Sequence, residues 1–131
     1  MVAWVGNDPT YVDFQSTANP SQLPSHKKME QKFFLFVDDE RDPPNLPFNP
    51  EVSTVIVRNY KQATDFLWHH RDGNVFISLD HDLGEEKTGY DICKFIVENE
   101  IPLLGTILHT MNPDGRQNMK HLLTHYGYAV S

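Results

Sequence analysis

The chain has little of what several common protein classes need. It has a single cysteine, Cys93, among 131 residues, which excludes an internal disulfide framework and fits a reducing compartment. No apolar run approaches the ~20 residues of a membrane-spanning helix. The first residues lack the basic start and the apolar core of a signal peptide. We therefore expect a cytoplasmic protein that has no membrane partner.

Basic residues are also few. The chain has 11 Lys and Arg against 18 Asp and Glu, which gives a net charge of −7 with neutral histidines, and the basic residues form no stripe. This balance disfavours binding to a polynucleotide, whose backbone is itself anionic. A small phosphorylated ligand stays compatible with it, above all if a divalent cation offsets the carboxylates. The sequence also lacks a nucleophile elbow, a Walker loop and a dinucleotide-binding fingerprint.

The chain divides by composition into two parts. Residues 1–31 are rich in polar residues and proline and show no sustained periodicity, so we expect a poorly ordered N-terminal extension, or a strap lying over the domain. Residues 32–131 alternate short apolar runs with amphipathic segments, which favours an α/β domain with a mostly parallel sheet. We predict strands at 33–38, 53–58, 75–80 and 105–109, helices at 60–70, 88–99 and 114–126, and a short extended segment at 128–130.

The first connection departs from a standard doubly wound fold. Residues 40–50 contain four prolines and cannot form a helix interior. The pattern therefore predicts a doubly wound α/β domain in which a proline-rich loop replaces the first crossover helix.

Acidic side chains follow two of the predicted strands. Asp38 and Asp39 come at the end of the first strand, and Asp80 ends the third. The carboxyl ends of parallel strands meet at one edge of the sheet, where ligands bind in open α/β folds. Neighbouring carboxylates are costly to bury without a cation, so we predict that Asp38, Asp39 and Asp80 bind Mg²⁺ or Mn²⁺. The alternative is a solvated loop start in which Asp39 pairs with Arg41.

Two histidines also lie at strand ends. His81 stands between Asp80 and Asp82, a position that suits proton transfer, and His109 ends the fourth strand. The alternative for His81 is a ring that hydrogen-bonds locally. Successive residues of an extended segment point in opposite directions, so His81 and Asp80 are not expected to share one role.

The start of the last predicted helix resembles a phosphate cradle. A hydroxyl, an amide, a glycine and a basic side chain lie close together there, at the positive end of a helix dipole: Thr110, Asn112, Gly115 and Arg116. The alternative is that Asn112 or Asp114 caps the helix and Thr110 satisfies backbone groups. Farther along this helix, His121 and His125 have the spacing of a zinc pair, but the flanking leucines favour a packed or surface helix.

These motifs resemble the receiver domains of response regulators. The resemblance implies a three-layer, receiver-like (flavodoxin-like) fold. It also implies that Asp38 and Asp39 match the acidic pair that binds Mg²⁺, Asp80 the phosphoryl acceptor and Thr110 the small hydroxyl residue. The lysine that receivers carry after a later strand has no counterpart, because Lys120 lies inside a helix.

The sequence is more similar to the cyclic-phosphate-processing receiver domain family. That family's pattern has an acidic pair followed by Arg and Pro, a Leu-Asp-His-Asp-Leu-Gly block with a downstream Gly-Tyr-Asp, and a His-Ser/Thr-x-Asn-Pro-x-Gly segment. This chain matches it at 38–43, 79–84, 89–91 and 109–115.

Two hypotheses about function follow. The first is a metal-dependent phosphoesterase that acts on a small cyclic-phosphate or phosphorylated nucleotide. In it, His81 or His109 moves the proton, Arg41 and the residues of the cradle contact phosphate, and Asp80 either binds the metal or attacks as a nucleophile. The second is a non-catalytic module, either a pseudo-receiver or a protein that sequesters a nucleotide messenger, for example in phage counter-defence.

Overall fold

Four apolar segments form strands, and the last three strands are each followed by a helix. The computed structural model describes residues 31–45 and 49–131. The strands are β1 (Lys32–Val37), β2 (Val52–Val57), β3 (Val75–Leu79) and β4 (Gly105–Leu108), and the helices are α1 (Tyr60–His69), α2 (Gly89–Glu98) and α3 (Pro113–His125). Every element lies within one or two residues of its predicted position. No helix in the described residues combines the length and the apolar character that a bilayer crossing requires.

The four strands form one parallel sheet in the order β2-β1-β3-β4. Phe36 of β1 lies opposite Ser78 of β3, and Ser78 lies opposite Ile107 of β4. After α3 the chain returns to the edge of the sheet, where Val130 forms a parallel bridge with Thr106, within the predicted extended segment 128–130. The order places the carboxyl ends of β1, β3 and β4 side by side.

The core lies between the sheet and the helices. Alternate strand residues such as Leu35, Ile77 and Leu79 are fully buried against Ile92 of α2 and Leu123 of α3, as the strand and helix periods require. The crossovers β2-α1-β3 and β3-α2-β4 advance across the sheet in the same direction. Right-handed connections therefore put α1 and α2 on the same face, and α2 contacts both α1 and α3.

The opposite face of the sheet carries exposed apolar side chains in the described residues, among them Ile56, Phe76 and Ile107. Residues 38–45 and 49–51, which connect β1 to β2, contain neither helix nor strand, and 46–48 lie outside the described residues. The described residues thus supply two of the three predicted layers. The predicted extension, apart from Gln31, also lies outside them.

The helix starts are fixed by local hydrogen bonds. The side chains of Asn59, Thr88 and Asn112 cap the three helices, and Thr88 forms a reciprocal capping box with Asp91. Because α2 and α3 begin a few residues after β3 and β4, their N-termini lie near the edge of the sheet at which those strands end.

Candidate metal and phosphate site

Three polar side chains converge at the carboxyl edge of the sheet. Asp38, Asp80 and His109 each follow directly after a strand, and one potential ligand atom from each lies within 4.8 Å of those of the other two. Both carboxylates are buried and His109 is half-buried. We call these three residues the strand-end cluster. Its donor set, two carboxylates and one imidazole, is one that divalent metals use in proteins.

The Asp38 carboxylate is held in a fixed orientation. Its Oδ1 accepts hydrogen bonds from the backbone N–H groups of Glu40 and Arg41, at 2.9 and 2.8 Å. Its Oδ2 faces His109 Nε2 at 3.1 Å and Arg41 Nε at 3.3 Å. Burial acts to raise the pKa of Asp38, but the two backbone N–H groups, His109 and the Arg41 guanidinium outweigh it, so the pKa lies below its ordinary value. Asp38 is therefore an ionised side chain with one oxygen turned towards the cluster.

His109 crosses the sheet edge above β3. Its Nδ1 lies 2.7 Å from the hydroxyl of Ser78, while its Nε2 reaches Asp38, the residue directly after β1. The imidazole stacks on Phe36, with ring centroids 4.5 Å apart and an interplanar angle of 6°. The small side chain of Ser78 leaves room for this crossing. These three contacts define both the position and the plane of the ring.

Asp80 has few polar contacts for a buried carboxylate. It is 5% exposed, and among the described residues no hydrogen bond ends on its carboxylate. Arg41 is its charged neighbour, with Nη2 at 3.8 Å from Oδ2. A buried carboxylate without hydrogen bonds is costly unless a cation compensates it. Asp80 is thus suited to bind a cation at the strand-end cluster.

A shallow depression of about 320 Å³ opens beside the cluster. Asp80 and Arg41 line it, together with Asp39, Glu40, Asp82, Gly84 and Met111. Asp39 lies outside the strand-end cluster: its carboxylate packs against Gly84, where an added Cβ would come within 2.8 Å of Oδ2. The side chain of Met111 is 81% exposed. The wall is therefore mainly acidic, with one cationic and one apolar side chain at its surface.

His81 lies against the N-terminus of α3. Its ring contacts Gly115 so closely that a Cβ on that residue would overlap it. The Nδ1 of His81 lies 3.0 Å from Asp82 Oδ1 and 3.5 Å from Asn112 Nδ2. His81 and Asp80 therefore have different neighbours, in keeping with the alternation of an extended chain.

The predicted phosphate cradle is partly engaged in local bonds. Asn112 Oδ1 accepts from the Gly115 N–H at 2.9 Å and caps α3, and the Thr110 hydroxyl accepts from the Asn112 N–H at 3.1 Å. The Arg116 guanidinium donates to the carbonyl of Leu108. The structure thus bears out the capping roles, while the Asn112 amide, 3.5 Å from His81, reaches towards that histidine.

Comparison with known proteins identifies the family and the fold. The family model of the cyclic-phosphate processing receiver domain matches residues 33–125. The chain belongs to this family. The signal receiver domain of a Luxo repressor protein from Vibrio parahaemolyticus has a similar crystal structure, with a TM-score of 0.54 and 20% identity over 76% of this chain and 75% of that one. No curated protein matches. The receiver-like, flavodoxin-like fold is therefore confirmed.

Sequence reasoning missed two contributors to this receiver-like domain's site. Ser78 is the one polar residue of β3, and its place in an otherwise apolar strand was an available signal. The stacking of Phe36 on His109 left no signal, because it depends on how the His109 ring lies across the end of β3. Away from the site, Cys93 is fully buried in the core, and this burial raises the pKa of its thiol to about 12.

Proposed function

We propose that this receiver-like domain is a metal-dependent phosphoesterase that acts on a small cyclic-phosphate or phosphorylated nucleotide. The observation that carries the proposal is the strand-end cluster, in which two buried carboxylates and an imidazole meet beside a guanidinium and an open depression. Such a group of titratable side chains in a concave surface is typical of a catalytic site. The description of the family, cyclic-phosphate processing, supports the choice of substrate class.

Asp38 and Asp80 would hold the divalent cation, Mg²⁺ or Mn²⁺, through their carboxylate oxygens. Asp39, the third ligand that the sequence predicts, lines the same depression. A bound cation would neutralise phosphate charge and lower the pKa of a water molecule. The acidic wall by itself repels a phosphate group, so the proposal requires the cation.

Arg41 and Met111 would recognise the two parts of the nucleotide. The Arg41 side chain is 55% exposed and lies against both carboxylates, so its guanidinium can turn towards a phosphate without leaving the site. The exposed thioether of Met111 offers a flexible, polarizable contact for a base or a ribose. Together they favour a nucleotide over inorganic phosphate.

His81 and His109 are the candidates for proton transfer. His109 touches Asp38 directly, whereas His81 lies between Asp82 and the amide of Asn112, at the positive end of α3. A general acid or base accelerates a reaction by ~10²–10⁴-fold. Removing the histidine that transfers the proton should lower turnover by that order and leave substrate affinity nearly unchanged.

The proposal is tested by incubating the protein with cyclic mono- and dinucleotides and either Mg²⁺ or Mn²⁺, with products separated by chromatography. We expect a metal-dependent product from wild type and a loss of ~10²-fold or more in His81→Ala or His109→Ala. The exposed His125→Ala is the matched control and should keep full turnover. If a nucleotide binds tightly and returns intact, the protein is instead a sequestering module. If none binds, the partner-binding pseudo-receiver remains.

A further inference from the structure

The side chains around His109 indicate which class of metal the site selects. We propose that His109 is itself a metal ligand, through Nε2, and that the Asp38–Asp80–His109 centre prefers a transition-metal ion such as Mn²⁺ or Zn²⁺ to Mg²⁺. This inference takes only the location of the site from the proposed function. Metal binding at that site can be measured without a substrate. It differs from the sequence-based set Asp38, Asp39 and Asp80, which contains oxygen ligands alone.

The distances fit a common cation. Two ligands at ~2.1 Å from one metal ion lie ~3.0 Å apart at an octahedral angle and ~3.4 Å apart at a tetrahedral angle. His109 Nε2 and Asp38 Oδ2 are 3.1 Å apart. A carboxylate oxygen of Asp80 lies within 4.8 Å of the ligand atoms of the other two residues, and in the described part of the chain it accepts no hydrogen bond that a cation would have to replace.

Ser78 supplies the contact that a metal-binding histidine usually has. Ligating imidazoles normally donate the N–H of their other ring nitrogen to an oxygen, which fixes the tautomer and the ring orientation. The Ser78 hydroxyl lies 2.7 Å from His109 Nδ1, on the side of the ring away from Asp38, and the Phe36 stack holds the ring plane. Ser78 is therefore a positioning residue for the metal ligand His109.

The nitrogen ligand sets the metal preference. Imidazole suits Zn²⁺ and carboxylate suits Mn²⁺, so this mixed set of donors can hold either ion, whereas Mg²⁺ prefers carboxylate, phosphate and water oxygens alone. Because His109 would then be coordinated, proton transfer in the proposed reaction would fall to His81.

Metal titration followed by pulsed electron paramagnetic resonance of bound Mn²⁺ tests this inference. Wild type should bind Mn²⁺ and Zn²⁺ at least about tenfold more tightly than Mg²⁺, with a ¹⁴N coupling from a coordinated imidazole. His109→Gln should lose the coupling and at least about tenfold in Mn²⁺ affinity, with little change for Mg²⁺. Ser78→Ala should lose ~10–100-fold in Mn²⁺ affinity and alter the coupling. His121→Gln, on the exposed side of α3, is the control and should match wild type.

Two results would overturn the inference: bound Mn²⁺ without nitrogen coupling in wild type, or a coupling that persists in His109→Gln. Either result leaves the phosphoesterase proposal intact if nucleotides are cleaved with Mg²⁺. Conversely, a nitrogen-coordinated metal in a protein that cleaves no nucleotide would support the metal centre and contradict the proposed function.

Discussion

His109 Nε2 lies 3.1 Å from Asp38 Oδ2, although 71 residues separate the two along the chain. The contact spans the sheet edge from β4 to β1 and passes over Ser78 at the end of β3. It brings an imidazole to a carboxylate that already holds two backbone N–H groups and a guanidinium. This contact changes a set of acidic strand ends into a site with both oxygen and nitrogen donors.

Arg41 and a cation compete for the same carboxylate oxygens, since Arg41 lies 3.3 Å from Asp38 Oδ2 and 3.8 Å from Asp80 Oδ2. Arg41→Gln should raise Mn²⁺ affinity, and only by about three- to tenfold because the side chain is half exposed to solvent. The same variant should weaken nucleotide binding at least about tenfold, because it removes a phosphate contact. Calorimetric titration measures both effects.

Arg71→Gln is the matched control for that experiment. Arg71 lies over the ring of Trp68, away from the cluster, and its loss should change neither affinity. A Mn²⁺ affinity that falls in Arg41→Gln would show that the guanidinium supports the cation rather than competing with it.

Gly115 is required for the position of His81. An added Cβ would overlap the imidazole, so Gly115→Ala should destabilise the fold and displace His81, despite the better helix propensity of alanine. In a His81→Ala background the overlap disappears, and Gly115→Ala should raise the free energy of unfolding by up to about 1 kcal/mol. Urea denaturation of wild type, the two single variants and the double variant measures this cycle. A Gly115→Ala effect of equal size in both backgrounds would contradict the close contact between Gly115 and the His81 ring.

Thr106 carries a buried hydroxyl that has no hydrogen-bond partner among the described residues. Thr106→Val keeps the shape and removes the unsatisfied oxygen, so it should raise the free energy of unfolding by about 1 kcal/mol and the melting temperature by a few degrees. Thr64→Val is the control, because the Thr64 hydroxyl donates to the carbonyl of Tyr60 at 3.0 Å and its loss should not stabilise. Equal destabilisation by both changes would contradict this assignment.

Much of this arrangement follows from the sequence. The apolar runs predicted the strands, and the residues after them predicted that Asp38, Asp80 and His109 lie at the sheet edge. The side chains of Asp38 and Asp39 point in different directions because side chains alternate along an extended chain. The sequence-based prediction applied this rule to Asp80 and His81 but not to Asp38 and Asp39.

Other contacts could not be predicted, because they depend on where individual side chains lie at the sheet edge. A flavodoxin-like fold implies that β1 lies between β2 and β3. It does not imply that the His109 ring passes Ser78 to reach Asp38 and stacks on Phe36. The predicted role of Gly115 as a phosphate ligand gave no hint of its contact with His81 either, since that contact depends on how α3 packs against the end of β3.

Acid should remove the stabilisation that Asp38 provides. Because its folded-state pKa is lowered, the ionised carboxylate stabilises the fold above the unfolded pKa of about 3.9, and this contribution is lost as the pH falls through the folded pKa. Asp38→Asn should therefore be less stable than wild type at pH 7, and the difference should narrow below about pH 4. Urea denaturation of both proteins from pH 7 to pH 3 measures this difference in the free energy of unfolding. A difference that stays constant over this range would contradict an ionised Asp38 carboxylate in the folded protein.

The most direct test of the proposed function is ³¹P nuclear magnetic resonance of a cyclic nucleotide incubated with the protein and Mn²⁺ or Mg²⁺ in separate samples, with fluorescence binding measured in parallel. For the nucleotide that binds, we expect the cyclic-phosphate signal to be replaced by that of a ring-opened phosphate in wild type, and to persist in Asp80→Asn and in chelator. A nucleotide that binds wild type with metal present and keeps an unchanged phosphorus spectrum would contradict the proposed phosphoesterase activity.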